Sequence, residues 1–246
     1  MKKFVVFPET LDYQNFEQAS VFLDACFLLT LLNDEDDRKP LALDILQRLQ
    51  DSDGSRIVIS NHIVTEVIHN IFKTIIRNVL YIKHRWDQTG VKPSETEMAL
   101  LGDLGTANCL RQIILNHRKE NMLNEFLTTG ELYFNVDKLV KELKNNFPGF
   151  RDGLTQYYIK AVNTFINLKS DIEEMGFDVI IGSSTDFEYE LALDFCSKFQ
   201  LESYDAIHLV MAETNGCQYL ITFDGDFNND YYEENYNNVK IIMPAS

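Results

Sequence analysis

Basic residues are scarce in this 246-residue chain, where 22 Lys and Arg stand against 38 Asp and Glu for a formal net charge of −16. Phosphate neutralisation by Lys and Arg normally supplies nucleic-acid affinity, so this balance excludes a simple nucleic-acid coat protein. Cysteine is also rare. Cys26, Cys109, Cys196 and Cys217 lie far apart with no paired spacing, which argues against a zinc cluster or a disulfide framework and fits reduced conditions. Long apolar runs are missing too. The opening MKKFVVFPET places only four apolar residues between its lysines and Pro8, too few for a signal-peptide core or a membrane span. A cytoplasmic protein with no membrane association is expected. Internal repeats and low-complexity tracts are absent, and the Asn, Asp and Tyr-rich stretch 228–238 reads as a loop.

What is present is enough apolar residue, 45% of the chain, to bury a sizeable core in one large domain or one domain carrying an insertion. Short apolar runs punctuate the sequence: SVFLDAC (20–26), RIVIS (56–60), FDVIIG (177–182), YLIT (219–222) and VKIIM (239–243) each read as a buried strand. Helical patterns lie between them. Over 61–80, Val64, Val67, Ile68, Ile71, Phe72, Ile75, Ile76 and Val79 form one stripe, and Thr185 with Glu188 makes a capping box for 186–199. Short strands alternating with helices predict an α/β fold with a mostly parallel sheet covered on both faces.

Residues 81–176 break the alternation. Ser94 with Glu97 caps a helical pattern through Met98, Leu101, Leu104, Ile113 and Ile114; a second helix near 136–145 is closed by NNFPGF, and a third runs from about 152 to Gly176. This predicts an all-helical insertion between 20–80 and 177–246, preceded by a leader, 1–19, with Pro93 and Pro148 marking joints. Charge follows the same division. Residues 80–170 hold 12 Lys and Arg against 10 Asp and Glu, and the remainder holds 10 against 28. A bound polyanion therefore needs the middle segment, metal ions or a basic partner.

Ligands of open α/β sheets collect beyond the carboxyl ends of the strands, and acids recur there. Asp24 closes the first strand, Glu66 lies in the second turn after RIVIS, and Asp205 lies in the first turn of the helix before YLIT, after a candidate cap at Ser203. Asp224 and Asp226 follow YLIT. Like charges brought together raise one another's pKa, and a hard divalent cation removes the conflict. Such a site favours Mg²⁺ or Mn²⁺, with hydrolysis of a phosphodiester as the matching chemistry.

FLDACFLLTLL, SNHIVTEVIHNI and LESYDAIHLVMAETNGCQYLITFDGDF together resemble the PIN-domain nucleases, over about 20–85 and 177–243. Within that family the resemblance points to the toxin ribonucleases of toxin–antitoxin pairs. It implies a three-layer α/β/α fold and an acidic quartet, Asp24, Glu66, Asp205 and Asp224, that binds Mg²⁺ or Mn²⁺ and hydrolyses RNA to a 5′-phosphate and a 3′-hydroxyl. Thr222 takes the place of a hydroxyl residue that orders the site, and Asp226 that of an additional acid. The implied partners are an RNA substrate, an antitoxin or other basic protein, and a second copy in a homodimer. The helical insertion, the acidity and the leader depart from the family pattern.

Plainer readings exist for each residue. Asp24 caps a helix, Glu66 is a solvated glutamate, Asp205 favours a helix dipole, and Asp224 with Asp226 makes a turn around Gly225. His62, Glu66 and His69 share a helix face at zinc-ligand reach but lack the HExxH spacing. His208 falls with Tyr204, Ile207 and Met211 on an apolar stripe and reads as a packed residue, and Cys26 reads as a buried thiol. Trp86, Tyr157, Tyr158 and Phe165 suit base stacking or a helical core, and the cations from Lys83 to Lys169 suit RNA guidance or a solvated face. A phosphatase of the haloacid dehalogenase type would want an aspartate where Cys26 stands. The competing class is a scaffold protein of PIN-like fold that is catalytically weak and docks a partner through its helical insertion.

Overall fold

The computed structural model describes residues 5–6, 19–52, 56–117, 120–130, 134–227 and 238–243, with Val5, Val6 and Asp226 described for backbone only. The chain divides into two compact units, Met1–Val67 with Phe165–Ser246, and Ile68–Thr164. Both divisions fall inside long helices, whereas the change of sequence pattern places the joints near 80 and 177.

The first unit is α/β. Its strands are β1 (Val5–Val6), β2 (Ser20–Leu23), β3 (Arg56–Ser60), β4 (Asp178–Gly182), β5 (Tyr219–Ile221) and β6 (Lys240–Ile242). They form one sheet in the order β1-β6-β5-β2-β3-β4, and every pairing is parallel. Parallel pairs need crossovers, which the helices supply. Helices α1 (Ala25–Leu32) and α2 (Lys39–Asp51) connect β2 to β3, and α9 (Asp186–Phe199) and α10 (Ser203–Thr214) connect β4 to β5. Consecutive residues Val21, Phe22 and Leu23 are fully buried, as are Ile57 and Val58. Because successive strand side chains point to opposite faces, both faces of the sheet are covered.

The strand order changes direction beside β2. From β2 the chain steps through β3 to β4 on one side, then returns to place β5 on the other. The crevice between β2 and β5 is therefore a topological switch point. β1 lies within the leader expected over 1–19 and pairs with β6 through Val5–Ile241 and Val6–Ile242.

The second unit occupies the β3-to-β4 connection and is helical. It holds most of α3 (Asn61–Thr89), then α4 (Glu95–Leu101), α5 (Leu104–Asn116), α6 (Glu120–Thr129), α7 (Val136–Asn146) and the first part of α8 (Arg151–Glu174). The pattern expected to continue from Ser94 to Ile114 is two helices. The Ser94–Glu97 capping box starts the first, Gly102 ends it at φ +58°, and Asp103 caps the second by accepting from Thr106 N at 2.8 Å. Leu110, Ile114, Leu123, Leu139, Leu143 and Tyr157 build its core, and the Tyr157 hydroxyl donates to the Leu101 carbonyl. Tyr158 stacks on Phe72 at 3.8 Å. Tyr157 is thus a core residue, and Tyr158 already holds an aromatic partner. The loop expected over 228–238 lies, save for Asn238, outside the described residues. Among the described residues, no helix is long and apolar enough to cross a membrane.

Candidate carboxylate site at the switch point

Asp24 follows β2 and caps α1, with extended backbone and its Oδ1 accepting from Ala25 N at 2.7 Å. Its own N–H completes the ladder to the Ile221 carbonyl of β5, which locks it to the switch point. The carboxylate is 5% exposed. Four donors surround it: Ala25 N and His208 Nδ1 at Oδ1, the latter at 3.1 Å, and Cys26 Sγ and Thr222 Oγ1 at Oδ2, at 2.8 and 2.7 Å. That number matches the lone-pair sites a carboxylate offers. Burial alone would raise this carboxyl; the hydrogen bond and charge of His208, with the Cys26 and Thr222 hydrogen bonds, override it and lower the pKa to about 2.

Thr222 lies directly after β5 and joins the two strand ends. Its hydroxyl donates to Asp24 and accepts from Asp224 N at 2.9 Å. Cys26 completes the frame, with Sγ 3.2 Å from Thr222 Oγ1 and accepting from Phe223 N at 3.1 Å. Burial and the adjacent Asp24 charge push its thiol far up, so Cys26 is a neutral donor and not a nucleophile.

His208 stands one turn after Asp205 on α10, 3% exposed, and combines the packed position expected for it with a charge-bearing one. Its Nε2 is 4.0 Å from Glu66 Oε2 and, although buried, has no hydrogen-bond partner among the described residues. Burial would lower its pKa, but the hydrogen bond and charge of Asp24, with the charges of Glu66 and Asp205, raise it above the ordinary value. Glu66 is half-buried on α3, and its carboxyl is raised by burial and by the charges of Asp24 and Asp224, against the opposing effect of His208. His208 thus stands between Asp24 and Glu66, Thr222 ties Asp24 to the backbone of Asp224, and Asp205 lies one turn before His208 on α10. Asp205 lies in the first turn of α10, whose N-cap is Glu202, one residue earlier than the expected Ser203. The side chain of Asp226 lies outside the described residues.

Arg38 adds a second cation. It holds Asp36 through two guanidinium contacts at 2.9 and 2.8 Å and lies 5.5 Å from the centroid of the Phe223 ring, next in sequence to Asp224. Neither His208 nor Arg38 carried a signal of its own in the sequence, though the spacing of Asp205 and His208 by three residues puts both on one helix face. The zinc trio does not assemble: His62 Nε2 is 2.7 Å from Ser184 Oγ, and His69 pairs with Asp137. Among the described residues, no three His, Cys, Asp or Glu side chains are arranged to hold a metal ion.

The donor chemistry nevertheless suits one class of ion. Glu66, Asp205 and Asp224 offer only oxygen, beside a buried and ionised Asp24, and hard divalent cations such as Mg²⁺ and Mn²⁺ take oxygen ligands of this kind. No protein-family model and no curated protein matches the chain.

Proposed function

We propose that the chain is a PIN-like, metal-dependent endoribonuclease whose site is the Asp24, Glu66, Asp205 and Asp224 cluster. The observation that carries this reading is the contact of His208 and Thr222 with Asp24 at the β2–β5 crevice, with Glu66 4.0 Å from His208 and the Asp224 N–H bonded to Thr222. Held at the carboxyl ends of parallel strands, such a cluster lies where open α/β sheets bind ligands. Mg²⁺ or Mn²⁺ held by these acids would supply Lewis-acid activation of water and of the phosphodiester. The residues themselves divide the remaining work. Thr222 and Cys26 fix the rotamer of Asp24, Glu66 with its raised carboxyl takes up a proton more readily than an ordinary glutamate, and His208 offers Nε2 as a buried proton donor. Arg38, paired with Asp36, lies against the Phe223 ring next to Asp224 and offsets part of the local acidic charge. The toxin of a toxin–antitoxin pair is the biological setting we favour, with a basic antitoxin complementing the net charge of −16.

The test is cleavage of a mixed RNA pool with Mn²⁺ or Mg²⁺, comparing wild type with Asp24→Asn and Asp205→Asn. Activity that needs metal and disappears in both variants is expected. One observation favours a second reading: all the lone-pair sites of Asp24 are occupied by protein donors, as in a catalytically weak PIN-like scaffold. Absence of cleavage together with absence of metal binding by calorimetry would establish that alternative.

A further inference from the structure

Beside the carboxylate cluster, the sheet-bearing unit carries a cleft of about 220 Å³, lined in part by His62, Ser184, Tyr189, Leu193, Cys196 and Tyr204. Two of its helices are shared with the cluster. His62 stands one turn before Glu66 on α3, and Tyr204 immediately precedes Asp205 on α10. Rigid helices therefore hold the cleft and the acids in one register.

The lining selects a chemical class. Tyr189, Leu193 and Tyr204 are 63, 54 and 65% exposed, an aromatic and apolar surface left open to water. His62 Nε2 and Ser184 Oγ, 2.7 Å apart, put donor and acceptor capacity beside it. Burial and the charge of His208 hold the His62 imidazole low, in the neutral form that can both donate and accept. The volume is below the roughly 300–1,000 Å³ of pockets that take drug-sized ligands. It suits one planar ring system. Affinity for a nucleic acid cannot come mainly from phosphates here, because the sheet-bearing unit holds 9 Lys and Arg against 28 Asp and Glu. Stacking of bases on aromatic rings is the remaining sequence-tolerant source.

We propose that this cleft seats one unpaired nucleobase of single-stranded RNA, stacked against Tyr189 and Tyr204 with its polar edge on His62 and Ser184. It thereby sets which phosphodiester lies at the acids. This rests on the nuclease reading and adds a base-binding subsite on α3, α9 and α10.

The test measures binding in EDTA, where no cleavage occurs, of a short fluorescein-labelled single-stranded RNA of mixed sequence and of an abasic strand of equal length. Tyr189→Ala and Tyr204→Ala are each expected to weaken RNA binding about 10-fold while leaving the abasic strand unchanged. Tyr204→Phe, which keeps the ring, should retain affinity. Alkylation of Cys196 by iodoacetamide should slow with RNA and not with the abasic strand. Equal binding of the two strands, or RNA binding unaltered in both alanine variants, overturns the cleft assignment even if wild type cleaves RNA. A wild type that prefers the base-containing strand but cleaves no RNA with Mn²⁺ would support the cleft and reject the nuclease reading.

Discussion

Asp24 and His208 form a buried ion pair in which each group is stabilised mainly by the other. His208→Leu leaves the Asp24 carboxylate charged, buried and short of one donor, and a loss of about 3–5 kcal/mol is expected in a denaturant melt. Asp24→Asn with His208→Leu should lose much less than the sum, because neither charge is then stranded. The pH dependence follows from both shifts. The folded carboxyl of Asp24, at about 2, lies below its unfolded value of 3.8. Its stabilisation is therefore full above pH 3.8 and lost as pH falls through 2. His208 is shifted upward from 6.5, so its contribution is full below pH 6.5 and lost as pH rises through the folded value. A melting series of the metal-free protein should show a plateau between roughly pH 4 and 6.5, falling on both sides. His208→Leu should flatten the alkaline limb.

At the scale of elements, helix termini do more positioning than helix faces. Asp24 caps α1 where β2 ends, Asp205 lies in the first turn of α10, and Glu66 lies in the second turn of α3 after β3. Partial positive charge at the N-termini of α1 and α10 favours the ionised forms of Asp24 and Asp205. In the helical unit a close approach sets the packing of α8. A Cβ at Gly153 would lie 2.0 Å from Thr106 Oγ1, and that hydroxyl is committed to Asp103 and the Phe150 carbonyl. Gly153→Ala should cost about 1–3 kcal/mol despite the higher helix propensity of alanine, and a combined Gly153→Ala, Thr106→Ser change should recover little, because the oxygen remains. Comparison of thermal unfolding midpoints tests this.

For the whole molecule, charge is partitioned between the units. The helical unit carries 13 Lys and Arg against 10 Asp and Glu, while the sheet-bearing unit is strongly acidic. If RNA engages chiefly the sheet-bearing unit, as proposed, few counterions are released. The slope of log affinity against log salt should then be shallow, about −0.7 to −1.4, as for one or two phosphate contacts on a single strand. Arg38→Ala should make it shallower still. A steep slope in the wild type would instead assign phosphate binding to the cations of the helical unit, and titration over a range of NaCl concentrations separates the two.

Much of this could be read locally. The short apolar runs at 20–23, 56–60, 178–182, 219–221 and 240–242 form strands as their pattern predicts, and the placing of Asp24 after β2, Asp205 at the start of α10 and Asp224 after β5 follows from the same reading. The parallel α/β class follows too, because strands separated by helices have no shorter way to pair. Other features depend on contacts between segments far apart in sequence. The apolar run containing Val5 and Val6 reads as part of a leader, because the strand it forms depends on pairing with β6, more than 230 residues away in sequence. The division of the chain inside α3 and α8 reflects where the cores lie, not where the pattern changes. His208 reads as apolar-stripe packing until β2 brings Asp24 to its Nδ1, 184 residues away in the chain. Periodicity specifies which face a side chain occupies; strand order, set by the burial of the whole sheet, decides what that face meets.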